Sequence, residues 1–425
     1  MKKLAGGHNN FCIFLIYFIL ILSKNISAAQ IYDYQTEKLI GQINSEIISV
    51  NSYNKKINFK IYKDEFPNAY VTKDNMIYLS SGLLTFSPDY VTLLGVLAHE
   101  LCHIEKYHVS KRKNKITNLK NMSSYGNLAA VVGSMIIQEP DILNAIAINQ
   151  TAVNNLFINF SQVQEIEADL YALETINKLK LPSSSIKKFL LILEKKTGAN
   201  LIDEELKKFS THPIFEKRYE IIDNNDYSES YKFNNNFQRE FNFIQAKFMA
   251  YTGSGVSLNL KDDYKIYYDA LKLSQSGNLV ESLKKINMLI SKNDKDYFLV
   301  ETKADILLSY GYNREAIKFY RKVLKAQPDN IYVKYNILVN LKLNQADYEL
   351  NKNIFTKNLE LLKFFPNNQD IIKKYYDLSK FLKYDDWTLL FEVLLFKNKD
   401  ANNILNELNT DTKDYNLKKI LKLYT

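Results

Sequence analysis

The sequence predicts an α+β domain, mostly helical with a small sheet, followed by an all-α array of helical hairpins. Three observations predict it. Twelve glycines and seven prolines in 425 residues are too few for an all-β sandwich or barrel dense in turns. Strand-like alternation is confined to residues 57–79, while helical spacing dominates the rest. Residues 263–296 align on 297–330 at a period of 34. With 46% hydrophobic and 24% charged residues the chain can bury real cores, which excludes wholesale disorder, and its length suggests two or three domains.

Met1–Ala29 reads as an export signal. Lys2 and Lys3 begin it, Phe11–Leu22 is a continuous apolar stretch of twelve, and Ser27, Ala28 and Ala29 offer a cleavage point before Gln30. Twelve residues are fewer than the roughly 20 that span a bilayer, so no stable span is expected after cleavage. An uncleaved inner-membrane anchor is the alternative. A second apolar run, Leu128–Ile137, reads as a buried helix. Removing Lys2, Lys3 and Lys24 takes the formal charge from +9 to +6, spread thinly, with no Arg/Lys run; a soluble basic surface is expected and no nucleic-acid partner. Cys12 leaves with the signal, so Cys102 is the only cysteine of the mature chain and no internal disulfide can form.

Residues 31–50 form an amphipathic helix on the spacing of Ile31, Leu39, Ile43 and Ile47. Ile57–Tyr62 alternates as a strand. Ala69–Thr72 and Met76–Leu79 flank Lys73-Asp74-Asn75, a turn that Asp and Asn suit, and so read as a hairpin. Residues 88–115, 127–137, 141–180 and 185–196 read as helices. An Asn-rich stretch at 224–236 marks a boundary. The expected organisation is 1–29 signal, 30–225 catalytic domain, 226–260 helical linker and 261–425 repeats.

In the repeats, Ala270 aligns with Ala304, Gly277 with Gly311, Ser282 with Ala316 and Ile286 with Tyr320, and Pro328 closes the second. Small residues where helices cross and a glycine at the turn are what stacked helical hairpins require. The pattern resembles the tetratricopeptide repeat, best over 297–330; an unrelated helical bundle is the alternative. It then drifts, with Pro366 38 residues after Pro328, and Trp387 marks a last, degenerate hairpin.

The chemistry rests on His99-Glu100-Leu101-Cys102-His103, an H-E-x-x-H sequence. On a helix, positions 99 and 103 lie one turn and roughly 40° apart, so two imidazoles can bind one zinc from the same face. Glu100 sits beside them, placed to take a proton from the attacking water. The alternative is a structural pair. A third ligand is needed, and Glu165-Ile166-Glu167-Ala168-Asp169 offers it: on a helix Glu165 and Asp169 share a face while Glu167 points away. Glu165 can then ligate and Asp169 can accept the other ring N–H of a ligating histidine; a solvated acidic face is the plain reading. His108 falls roughly 140° round the helix from His103, cannot join the same zinc, and is assigned a structural role. His212, in Ser210-Thr211-His212-Pro213, either caps the following helix or approaches the metal or the oxyanion.

His99 to Ile104 followed by His108, then Glu165 to Asp169, then Thr211-His212-Pro213 with Arg218 five residues on, resembles the HtpX, Oma and CAAX-prenyl-protease group of zinc metallopeptidases. The stretch from Asn68-Ala69-Tyr70 through Ser81-Gly82-Leu83-Leu84 is similar to its strand pair ahead of the active-site helix. The resemblance is strong over 68–218 and looser over the repeats, and with an export signal and repeats it points to a periplasmic branch of the group. It implies a zincin-like fold of gluzincin type, one zinc per chain on His99, His103 and Glu165, Glu100 as base, Asp169 orienting a ligand, and His212 approaching the metal to restrain activity. Arg218 is implied as a supporting residue, or is a plain surface arginine. Two departures stand out: Lys73-Asp74-Asn75 replaces the usual Pro-Gly-Gly, and Cys102 replaces Gly or Ser, as a buried filler or a redox-sensitive neighbour. The implied function is a zinc endopeptidase degrading misfolded or stalled outer-membrane proteins. Substrate is expected as a strand on an exposed edge near Met76–Ser80, and the repeats are expected to dock the outer-membrane barrel-assembly machinery. A repeat-based chaperone or adaptor with latent protease activity is the alternative.

Overall fold

The computed structural model describes residues 30–51, 53, 57–72, 74–108, 110–111, 151–200, 215–225, 231–253, 260, 262–396 and 400–425. Met1–Ala29, Leu128–Ile137, Lys73 and His212 lie outside the described residues. Two compact units result: one of Gln30–Ile31 and Gln42–Asn235, the other of Tyr32–Gly41, Asn236–Gly253 and Ser257–Thr425. Among the described residues no helix is long and apolar enough to cross a membrane.

The first unit is built on a four-stranded sheet of β1 (Gln30–Ile31), β2 (Asn58–Tyr62), β3 (Ala69–Val71) and β4 (Met76–Ser80), in the order β1-β2-β4-β3. β4 is antiparallel to β3, with Ala69 opposite Leu79, and parallel to β2, with Asn58 opposite Met76. The alternation puts Ile61, Ala69, Ile77 and Leu79 in the core. On the other face Tyr70 stacks on Tyr78 at 5.1 Å and meets the edge of Tyr62 at 5.8 Å. The expected hairpin closes with Asn75 at φ 58°, its N–H donating to the Thr72 carbonyl at 3.0 Å.

Two expectations fail here. Ile31 pairs with Ile61 in β1 instead of starting the helix, because Asp33 caps α1 (Tyr34–Asn51) by accepting from the Thr36 N–H at 2.9 Å. Met76–Ser80 is no edge: β4 is paired on both sides, and the edge is β3. Asn68 and Thr72 already bond across to Ser80 and Met76, so by antiparallel alternation the backbone groups of Ala69 and Val71 face away from β4.

After α2 (Ser81–Phe86), Asp89 caps α3 (Tyr90–Glu105), accepting from the Thr92 N–H at 2.9 Å. Gly95 is no helix break. It lets α5 (Ser184–Asn200) close on α3, since a Cβ there would lie 2.6 Å from Ile186 Cδ1. Between them in sequence, α4 (Thr151–Lys178) lies along α3, and α6 (Phe215–Asn224) follows. The helix expected to run to residue 115 ends at Glu105, and Tyr107, at φ 56°, stands outside the right-handed region and interrupts the run.

Among its described residues the second unit contains helices and no strand. α7 (Asn235–Thr252) falls within the stretch expected to be a linker, yet its Phe243, Ala246 and Ala250 share one core with Tyr267, Ala270 and Ile286. α8 (Asp262–Gln275) and α9 (Leu279–Lys292) form one hairpin, α10 (Tyr297–Ser309) and α11 (Asn313–Ala326) the next. Their turns use Gly277 (φ 87°) and Gly311 (φ 81°), 34 positions apart, where a residue with a Cβ would be strained. Ala270, Ser282 and Ile286, and their counterparts Ala304, Ala316 and Tyr320, are all fully buried. The pattern then loosens: α12 (Ile331–Asn340) and α13 (Tyr348–Lys357) are separated by a longer loop with a 3-10 turn at Gln345–Asp347. α14 (Leu361–Phe364), α15 (Gln369–Leu382) and α16 (Asp385–Phe396) follow, and Trp387 packs against Phe355 at 5.2 Å. The Trp387 hairpin is not the last, since α17 (Ala401–Asp411) and α18 (Tyr415–Leu421) follow, and Trp387 Nε1 donates to Asp414 at 2.8 Å.

Candidate active site

The site lies where α3 and α4 pack together in the first unit. His99 and His103 sit one turn apart on α3, Glu165 and Asp169 one turn apart on α4, and all four are buried. The two Nε2 atoms lie 3.2 Å apart. Glu165 Oε2 is 3.2 Å from His99 Nε2, and its Oε1 is 3.6 Å from His103 Nε2. Ligands about 2.0–2.1 Å from a tetrahedral zinc stand ~3.3 Å from one another, so this triangle of two nitrogens and an oxygen fits such an ion. Among the described residues these three form the only such group of His, Cys, Asp or Glu.

Each imidazole is held through its other nitrogen. His99 Nδ1 is 3.0 Å from Asp169 Oδ1, so the ring donates there and turns the Nε2 lone pair toward the triangle. Asp169 is gripped in turn by Arg218, whose Nε and Nη2 donate to its two oxygens at 2.7 Å each. Burial alone would raise the Asp169 carboxyl, but Arg218 and His99 hold it down at about 2. Asp169 and Arg218, read from the sequence by face-sharing and by resemblance, are thus joined to His99 in one chain of bonds.

On the His103 side the sequence reading missed two residues. His103 Nδ1 lies 2.9 Å from His108 Nδ1, and His108 Nε2 lies 3.1 Å from Glu167 Oε2. One assignment of protons satisfies the whole chain: His103 donates to His108, which donates to Glu167, leaving His103 Nε2 with its lone pair toward the triangle. His108 is 1% exposed and stands outside the triangle, and it reaches His103 Nδ1 from just beyond the left-handed residue Tyr107. Glu167 does point away from the triangle, toward His108. The only sequence signal for this pairing was the presence of a second histidine and a second glutamate near the two motifs.

Glu100 is buried and lines a cavity of about 70 Å³ together with His99, Asp169 and Arg218. The rest of the wall is mostly apolar, with Leu83, Leu173, Ile186 and Phe189, and Ala69 of the edge strand borders it. Cys102 is fully buried, and burial first, then the Glu167 charge, pushes its thiol up to about 12, which disfavours the thiolate.

With this geometry in hand, the comparisons agree. Residues 33–226 match the model of peptidase family M48. Over 147 residues, 34% of the chain, it is 26% identical to a candidate beta-barrel assembly-enhancing protease of Vibrio cholerae serotype O1, and the match covers 29% of that protein. Over 193 residues, 45% of the chain, it is 21% identical to the beta-barrel assembly-enhancing protease of Yersinia pestis, covering 39% of it. The chain thus spans between a quarter and two fifths of the length of these relatives.

Proposed function

We propose that the protein is a zinc endopeptidase of the exported compartment that removes misfolded or stalled outer-membrane barrel proteins. The observation that carries this reading is the His99–His103–Glu165 triangle, with each imidazole oriented through its far nitrogen. A divalent ion held there supplies Lewis-acid polarisation of a carbonyl and acidifies a water. The residues do the rest. Glu100 accepts the proton of the attacking water and returns it to the leaving amine. Asp169 and Arg218 keep the His99 ring from turning, and the buried surroundings of Glu100 exclude competing solvent.

Substrate backbone adds to the edge strand β3 through the groups of Ala69 and Val71, an arrangement that reads extended chain more than sequence. The apolar cavity beside Glu100 takes a small apolar side chain of the bound segment. The hairpins of the second unit are read as tetratricopeptide repeats that dock the barrel-assembly machinery; the names of the relatives and the 34-residue recurrence support that part. His212 belongs to this reading by resemblance, and the export signal by the charge and apolar pattern of the first 29 residues.

The test is degradation of an unfolded outer-membrane protein by the wild type and by Glu100→Gln, with zinc content measured on both. Loss of cleavage by about a thousandfold with zinc retained is expected. Equal loss of substrate with both proteins would leave an adaptor function for the chain.

A further inference from the structure

We propose that the cleft between α11 and α13 in the second unit binds an acidic peptide segment of a partner protein. The cleft follows from the break in the repeat. Three residues, Tyr310–Tyr312, connect α10 to α11, but Leu341–Asp347 intervenes between α12 and α13. Two adjoining cavities, of about 690 and 420 Å³, lie against α11, α12 and α13 and share Arg321 and Leu350.

Its charge is one-sided. Arg314, Lys318, Arg321 and Lys325 recur at steps of four, three and four, which is one stripe along α11, and all line the cleft. Lys342 and Lys357 join them from the loop and from α13. Like charges a turn apart on a helix repel, so the stripe is destabilising unless something answers it. Lys334, deeper in the cleft, is answered by Glu360. The six cations above have no ion pair or hydrogen bond among the described residues. Only two acids line the cleft, Glu315 and Asp347, and the Asp347 carboxylate is engaged by the Asn344 amide at 2.9 Å.

The floor selects the class of anion. Leu324, Ile337, Leu350 and Ile354 form an apolar strip beneath the cations, and the Asn353 amide stands beside it to meet a peptide group. A segment that alternates acidic and apolar side chains satisfies the rim and the floor together. A planar array of lipid phosphates would meet the rim alone and leave the floor uncovered. The inference does not depend on the protease reading, because binding is measured without cleavage.

The experiment uses the full chain carrying Glu100→Gln and a fluorescent ten-residue peptide alternating Glu and Leu, followed by anisotropy. Saturable binding is expected, weakening about tenfold between roughly 50 and 300 mM salt. The exposed-site variant Lys318→Glu/Arg321→Glu/Lys357→Glu, with an unchanged circular dichroism spectrum, is expected to bind at least about tenfold more weakly. Lys418→Glu/Lys419→Glu on α18 is expected to bind as its parent does. Equal binding of a Gln/Leu peptide, or equal affinity of the triple variant, overturns the proposal. So does tighter, triple-sensitive binding of phosphatidylglycerol vesicles, which assigns the stripe to lipid phosphate. Salt dependence and the Gln/Leu control decide the matter even if the triple variant does not fold.

Discussion

The Nδ1 atoms of His103 and His108 lie 2.9 Å apart, and that contact makes the surroundings of the two α3 imidazoles symmetrical. His99 leans on Asp169 and Arg218; His103 leans on His108 and Glu167. Groups that orient a ligating ring typically contribute ten- to a hundredfold in metal affinity. His108→Ala is therefore expected to weaken zinc binding by about that factor, measured by competition with a chromogenic chelator. Glu167→Gln is expected to lose less, since Glu167 is half exposed and water can replace it. Unchanged affinity in His108→Ala would reduce the contact to packing.

Arg218 donates to both oxygens of Asp169 in a buried setting, and His99 adds a third bond to Oδ1. Removing it leaves a buried carboxylate with His99 alone and no permanent countercharge, and breaking a buried pair typically costs about 3 kcal/mol or more. Arg218→Ala is expected to lower unfolding free energy at neutral pH by about that much in urea titrations. The sign with pH follows from Asp169, held at about 2 against an ordinary 3.8: its contribution is present above 3.8 and lost as pH falls toward 2. The difference between wild type and Arg218→Ala should shrink over that window. A constant difference down to pH 2 would place the effect of Arg218 elsewhere.

Much of this was legible because it is periodic. Two histidines at i, i+4 and two carboxylates at i, i+4 each define a face whatever the surrounding fold, and the strand alternation and the 34-residue recurrence are likewise local. What escaped was non-local or rested on one dihedral. His108 was assigned by extending a straight helix, and the left-handed turn at Tyr107 ended that helix; no residue type there announces it, since positive φ is uncommon for tyrosine. The order β1-β2-β4-β3 could not be read from strands alone, because a parallel neighbour inserted beside a hairpin leaves no mark in the hairpin's own sequence. Hence β4 reads as an edge from sequence alone.

Gly82 is a point where the chain allows no side chain. A Cβ there would sit 2.5 Å from the Phe66 carbonyl carbon and 2.6 Å from the Glu65 oxygen, both backbone. The Gly82 N–H also donates to the Asp64 carbonyl at 2.7 Å, tying α2 to the segment that leads into the edge strand. Gly82→Ala must therefore push that segment aside, an overpacking that typically costs 1–3 kcal/mol. A loss of ~2 kcal/mol is expected in urea denaturation, with a raised KM for peptide from displacement of Ala69. Stability within ~0.5 kcal/mol of wild type would mean that the segment yields freely.

The second unit carries its own pH dependence. Glu301 is buried with Asp305, Asp33 and Lys247 nearby, and accepts a bond from the Asn330 amide at 2.7 Å. Burial first, then the Asp305 charge, raise its carboxyl above the ordinary 4.5, and Lys247 only partly offsets them. Asp33 is already committed to Lys247 at 2.6 Å, and Asp305 accepts from Tyr332 at 3.0 Å as well as from Tyr320. Above pH 4.5 the unfolded chain has released a proton that the folded chain still holds. Stability must then fall as pH rises through neutrality, until Glu301 ionises in the fold as well. Melting temperature is expected to decline by ~5 °C between about pH 5 and 9 in the wild type, and Glu301→Gln, which keeps the shape without the charge, should flatten the decline. An identical slope in Glu301→Gln would move the origin of the pH dependence to another group.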